Sequence, residues 1–152
     1  MGVSGCGKTT VGRALAENLD WTFYDADDFH PRQNIAKMEL GEALDDADRK
    51  PWLERLTALI DAESNKGLVL ACSALKQRYR DALGVNTRIT FIYLEGSYEL
   101  IAARMEARQH FMPTTLLSSQ FAALEPPTDA ICVSIDQGIS DIVEEILQRI
   151  HL

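Results

Sequence analysis

Cysteine is scarce in this chain and scattered. Cys6, Cys72 and Cys132 show no CxxC spacing and no histidine at metal-ligand distance in sequence, which excludes a disulfide framework and a zinc site and reads as reduced, cytoplasmic thiols. Long apolar runs are missing too. The longest are strand-sized, such as Leu68 to Cys72, far short of the roughly 20 residues that cross a bilayer. Positive charge is in deficit: 15 Lys and Arg against 23 Asp and Glu leave a formal charge of -8, which disfavours a nucleic-acid backbone as partner. There is no internal repeat, no low-complexity tract and no linker, and a glycine-rich loop occupies the place where a signal peptide would carry its apolar stretch. The 152 residues therefore read as one domain spanning 1–152, with 46% hydrophobic residues and enough length to bury a core without staples.

What is present begins at the second residue. Gly2-Val3-Ser4-Gly5-Cys6-Gly7-Lys8-Thr9 is a complete G-x-x-x-x-G-K-[ST] phosphate-binding loop. Glycines let backbone N–H groups fold into a nest around a β-phosphate, Lys8 reaches the β and γ oxygens, and the Thr9 hydroxyl is placed to ligate Mg²⁺. A nucleotide is the expected first ligand. Such a loop normally leaves a buried strand, yet only Met1 precedes it here, so the expectation is a chain truncated at its N-terminus and lacking its first strand. Cys6, in the anion nest at a helix start, reads either as a reactive thiol or as a tolerated variable loop position.

Hydrophobic periodicity alternates strands with helices. Lys8 to Leu19 carries Val11, Leu15 and Leu19 at i, i+4, i+8 and is expected to be a helix. Trp21 to Tyr24 is a strand ending in Asp25-Ala26-Asp27-Asp28. Asn34 to Leu40 and Asp45 to Asn65 are helices, the latter with Pro51 near its first turn. Gly67 to Cys72 and Ile89 to Leu94 are buried strands, with a helix from Leu75 to Leu83 between them. Tyr98 to Arg108 and Thr114 to Leu124 are helices, Ile131 to Ile135 is a strand, in which Cys132, like Cys72 earlier, serves as a small hydrophobe, and Asp141 to Ile150 closes as a helix. The pattern defines an α/β protein with a parallel sheet, five-stranded when the absent first strand is counted.

The chemistry-bearing residues cluster at strand ends. Asp25 and Asp27 at i and i+2 divide labour: Asp25 toward Mg²⁺, Asp27 as the base that orients an acceptor hydroxyl. Asn34 and Lys37 share one helix face and offer an amide and an ammonium to a polyhydroxy acid, although a plain surface helix explains them as well. Cys72-Ser73-Ala74-Leu75-Lys76, with Tyr79-Arg80 after it, places a hydroxyl and cations at the carboxyl end of a central strand. Arg104 and Arg108, i and i+4 before Gln109-His110-Phe111-Met112, read as a lid that brings charge to a transferring phosphoryl group.

Taken in order, GVSGCGKTT, DADDFHP, NIAKM, LDDADRKPWL, CSALKQRYRD, RQHFMP and SQFAALEPP resemble the gluconate kinases along nearly the whole chain. The resemblance implies phosphorylation of D-gluconate to 6-phosphogluconate by ATP with Mg²⁺, a fold of the nucleoside-monophosphate-kinase type with strand order 2-3-1-4-5, and a homodimer. It implies that Gly5 to Thr10 (Gly5, Cys6, Gly7, Lys8, Thr9 and Thr10) cradle the ATP phosphates, with Arg104 near the adenine; the loop motif itself adds Gly2 and Ser4 to the nucleotide-binding set. It further implies that Asp27, His30, Arg49, Lys76 and Arg80 line the gluconate pocket, with Arg108 on the lid and Lys8, Asp27 and Arg108 serving catalysis. Two other readings stay open: another small-molecule kinase of the same fold, such as a shikimate kinase, and a non-catalytic nucleotide-binding module, though no guanine-reading N-K-x-D segment is present.

Overall fold

The computed structural model describes residues 1–108 and 114–152. Twelve residues of amphipathic periodicity make α1 (Lys8–Leu19), which buries Val11, Leu15 and Ala16. It leads to β1 (Thr22–Asp25), a single 3-10 turn (Ala26–Phe29), α2 (Arg32–Glu39) and α3 (Asp46–Glu63). Then come β2 (Leu68–Ala71), α4 (Gln77–Leu83), β3 (Ile92–Glu95), α5 (Tyr98–Ala107), α6 (Thr114–Ala123), β4 (Ile131–Ser134) and α7 (Ile139–Arg149).

Local chemistry explains the boundaries. Asp45 accepts from Asp48 N while the Asp48 carboxylate accepts from Asp45 N, a reciprocal capping box that starts α3. That helix buries Trp52, Leu56 and Ile60 at four-residue intervals, so one face is committed to the core. Leu56 is 0% exposed, and truncation to alanine at such a site costs about 2–5 kcal/mol.

The strands pair in parallel, β1 with β2 and β3 with β4, as the βαβ alternation requires. They form two separate two-stranded sheets. Between β2 and β3 runs an apolar cleft of about 390 Å³, lined by Val11, Leu15, Val69, Leu70, Ile92 and Ile146 among others. Met1 and Gly2 bridge it at one end: Gly2 N donates to Ser73 O, Leu94 N donates to Met1 O, and the Met1 amine donates to Ile92 O. One cluster, around Ile101, Val133, Ile135, Ile142 and Ile146, packs α1, α5, α7 and the second sheet; another, around Trp52, Leu56 and Leu83, packs α3 and α4 under the first.

Several expected boundaries move. The Ile89–Leu94 run pairs only from Ile92, where β4 begins opposite it. The 3-10 turn after β1 was not expected at all. Cys132 is exposed rather than packed, because alternate residues of β4 face outward. Among the described residues no helix is long and apolar enough to cross a membrane.

Candidate active site

The loop that opens the chain is shaped by positive φ angles. Gly5 (φ 79) and Gly7 (φ 101) adopt conformations that L side chains rarely reach, and a Cβ on Gly5 would lie 2.7 Å from Met105 Cγ and 2.8 Å from its Sδ. Gly7 caps α1 without any side-chain bond, so the first-turn N–H groups of that helix are not spent on a side-chain cap. Donors and helix dipole together make an anion cradle. The Lys8 ammonium donates to Gly2 O and Val3 O, both at 3.1 Å, and is thereby held over the loop.

The cradle opens on a cavity of about 490 Å³, within the usual range for small-molecule sites. Its walls are Ser4, Gly5, Gly7, Lys8, Thr9 and Thr10 from the loop and α1, Asp25 from the end of β1 and Asp27 from the turn after it, Ala71, Cys72 and Ser73 at and after the end of β2, Arg104 and Met105 from α5, and Arg108 at that helix's C-cap. Ten of the residues singled out from sequence thus converge on one space. Gly2 and Cys6 do not line it. Gly2 is spent on its bond to Ser73, and Cys6, 2% exposed, is a core residue, so the reading of a reactive thiol is corrected: packing encloses it. Cys72 lies deep as well, and burial pushes its thiol up to about 11.

Asp25 and Asp27 hold different positions. Asp25 Oδ1 accepts from Asp27 N at 3.0 Å and so caps the 3-10 turn that carries Asp27 to the cavity wall. Burial, then the neighbouring Asp25 carboxylate, pushes the Asp27 carboxyl above its usual range, while His30 and Lys8 pull the other way. From α3, the Trp52 indole N–H donates to Ala26 O at 2.7 Å and pins the turn from below. The His30 ring stacks on Trp52, centroids 4.6 Å apart and planes 10° from parallel. Burial lowers the His30 pKa; Asp27 raises it and Arg49 lowers it, so these three charges share one neighbourhood. Arg49 donates to Tyr79 OH at 3.2 Å and lies 3.7 Å from Asp46, which also holds Arg78.

The remaining expectations fare unevenly. Asn34 and Lys37 do not present an open polar face. Asn34 is 0% exposed and bonded to His30 and Asp48, and Lys37 Nζ donates to Asp48 Oδ2 at 2.8 Å. Arg80 leaves the set of residues available to a ligand. It is 2% exposed, and its five N–H donors go to Ala74 O, Leu75 O, Glu125 O and, twice, Gln77 Oε1. Its role is to clamp the loop after β2, where Ala74 sits at φ 44, a left-handed conformation costing about 1–2 kcal/mol. Lys76 caps α4 beside that loop and is not in the cavity wall. Arg104 Nη2 donates to Ile135 O at 2.7 Å. Residues 109–113, with His110 and the expected lid, lie outside the described residues.

Gln120 on α6 went unnoticed in sequence: Ser4 N donates to its Oε1 at 2.6 Å and its Nε2 donates to Ser4 Oγ at 2.9 Å. Nothing in helical spacing distinguishes this glutamine from a surface one.

Among the described residues no three His, Cys, Asp or Glu side chains converge into a metal cage. Mg²⁺ does not need one, since it keeps several waters and takes one or two carboxylates with phosphate oxygens. The Thr9 hydroxyl and the Asp25 carboxylate, both on the wall beside the cradle, fit that donor set.

A phosphate cradle at the head of a parallel α/β domain, faced by an acid from the adjacent strand, defines a P-loop small-molecule kinase. A shikimate kinase family model matches residues 4–150. The thermoresistant gluconokinase of Escherichia coli K12 is 44% identical over 99% of this chain and 90% of its own length. The crystal structure of a gluconokinase from Sinorhizobium meliloti 1021 superposes with a TM-score of 0.89 at 41% identity, covering 97% of this chain and 87% of the other. The shikimate kinase of Aquifex aeolicus, at 17% identity and a TM-score of 0.57 over 97% of this chain and 91% of its own, shares the fold alone. The chain belongs to the gluconokinase family, within the wider shikimate-kinase-like group.

Proposed function

We propose that this protein, a single P-loop kinase domain, transfers the γ-phosphoryl group of ATP to a hydroxyl of D-gluconate, giving 6-phospho-D-gluconate and ADP. One observation carries the reading: Asp27, a carboxyl crowded by burial and by Asp25, looks into the same cavity as Lys8 and the glycine loop. In phosphoryl transfer the protein mainly positions and neutralises, and a single base toward the acceptor is enough. A carboxylate whose pKa is raised is a better base than an ordinary one, because it approaches the operating pH.

In this reading the loop amides and Lys8 hold the phosphates, Arg104 and Arg108 bring positive charge from α5, and Asp27 receives the acceptor proton. Thr9 and Asp25 are the residues that would hold Mg²⁺, which when bound neutralises phosphate oxygens. The family resemblance assigns the acceptor to His30, Arg49 and Lys76 as well, none of which lines the cavity wall itself; of these, His30 lies within the electrostatic influence of both Asp27 and Arg49. A cytoplasmic homodimer belongs to the same reading through the family resemblance, and light scattering tests the dimer. The deciding experiment is a coupled ADP-release assay with gluconate, shikimate, glycerate and no acceptor. Turnover with gluconate well above the others supports the reading. Turnover with shikimate alone, or acceptor-independent hydrolysis alone, sinks it.

A further inference from the structure

His30 and Asn34 are four apart across the start of α2, and their contact determines more than packing. Asn34 Nδ2 donates to Asp48 O at 2.9 Å and faces His30 Nδ1 at 3.3 Å. A backbone carbonyl only accepts, so the Asn34 atom against it must be the amide nitrogen; the flipped amide would set two oxygens face to face. With the amide oriented, its second hydrogen points at His30 Nδ1, which must then accept. An imidazole that accepts at Nδ1 carries its proton on Nε2 when neutral. Burial, which lowers the His30 pKa, favours that neutral ring, and the stack on Trp52 restricts its rotation. Among the described residues Nε2 has no partner.

The arrangement has a cost. Asn34 Oδ1 is buried and unbonded, so a purely structural residue here would be better without it. Asp48, which supplies the accepting carbonyl, is itself fixed by the α3 capping box and by Lys37. The orientation is therefore relayed from a helix start to an imidazole in the electrostatic reach of Asp27 and Arg49.

We propose that Asn34 is a positioning residue that holds His30 as the Nε2–H tautomer, so that His30 offers a neutral N–H donor to an oxygen of the acceptor beside Asp27. A hydroxyl gives one hydrogen bond and accepts others. Asp27 takes the first kind and His30 supplies the second, which would discriminate polyhydroxy acceptors by geometry. The acceptor half of this proposal rests on the gluconate reading; the tautomer half does not.

The test uses the full chain labelled with ¹⁵N-histidine, with His30 signals identified by their loss in His30→Gln. Long-range ¹H–¹⁵N correlation at neutral pH is expected to show Nδ1 unprotonated and Nε2 protonated. In Asn34→Asp, where a carboxylate replaces the donor, the pattern reverses. In Asn34→Leu, which keeps the volume without the donor, the two tautomers mix. The KM for gluconate rises about tenfold in Asn34→Asp, the loss of one good hydrogen bond, while the KM for ATP stays put. A packing role alone would lower the Tm of both variants and leave the tautomer unchanged, overturning the proposal. A wild-type ring protonated on Nδ1 overturns it without any variant. Reversal in Asn34→Asp with an unchanged gluconate KM overturns the acceptor half. Failure of the gluconate reading looks different, as wild-type protein that does not turn gluconate over while its tautomer stands as described.

Discussion

Replacing Asp27 by asparagine separates what that side chain does for the reaction from what it does to the fold. Asparagine keeps the shape and an acceptor oxygen but cannot take a proton. Loss of a positioned general base lowers kcat by about 10²–10⁴, equivalent to about 3–5.5 kcal/mol of barrier. Stability moves the other way. Burial and Asp25 raise the folded-state pKa of Asp27 above its unfolded value, so the folded protein holds that proton more tightly. The stability this contributes is fully present below the unfolded pKa, near 4, and is lost as pH rises through the raised folded value. At pH 7 the anion is therefore a net burden, and Asp27→Asn relieves it. The expected outcome is a Tm above wild type at neutral pH, with the difference closing toward pH 4, together with nearly intact ATP affinity. Coupled ADP release, calorimetric ATP binding and thermal melts across pH measure all three. Turnover within tenfold of wild type would refute Asp27 as the base, and a fall in Tm at pH 7 would refute the electrostatic account of its surroundings.

Three further outcomes follow from the geometry. Gly5→Ala combines a left-handed residue at about 1–2 kcal/mol with a Cβ pushed against Met105 at about 1–3 kcal/mol; because Met105 is itself buried and Met105→Ala costs stability alone, urea unfolding of both single variants and the double should show a favourable coupling equal to the second part only. Trp52→Phe keeps the ring stack on His30 but strands the buried Ala26 carbonyl, a loss of about 1–3 kcal/mol read from the denaturation midpoint. Titration with a thiol reagent should find Cys132 reacting at once, with Cys6 and Cys72 reacting only as the protein unfolds; a fast second equivalent would contradict their burial.

Much of this was legible in the sequence because two signals are local. The glycine loop announces its own conformation, and the 3.6-residue stripe of Val11, Leu15 and Leu19 announces the helix behind it, so cradle and helix appear where expected. The acids at the end of β1 were equally plain. The failures share a physical cause. Spacing tells which side chains share a face but not which face is covered. Asn34 and Lys37 do share a side of α2, yet α3 lies against it and takes both through Asp48. Arg80 reads as a ligand-seeking cation until the carbonyls of Ala74, Leu75 and Glu125 converge on it from 6, 5 and 45 positions away. The 3-10 turn depends on one carboxylate reaching one amide, a contact without periodicity.

The parallel pairing of the strands has a consequence for how the molecule meets deuterium. Ladder amides exchange only when the cooperative unit that holds them opens. The amides that join β1 to β2 and β3 to β4 sit beside the two apolar clusters, so they should be the last to take up isotope, after the loops and the helix ends.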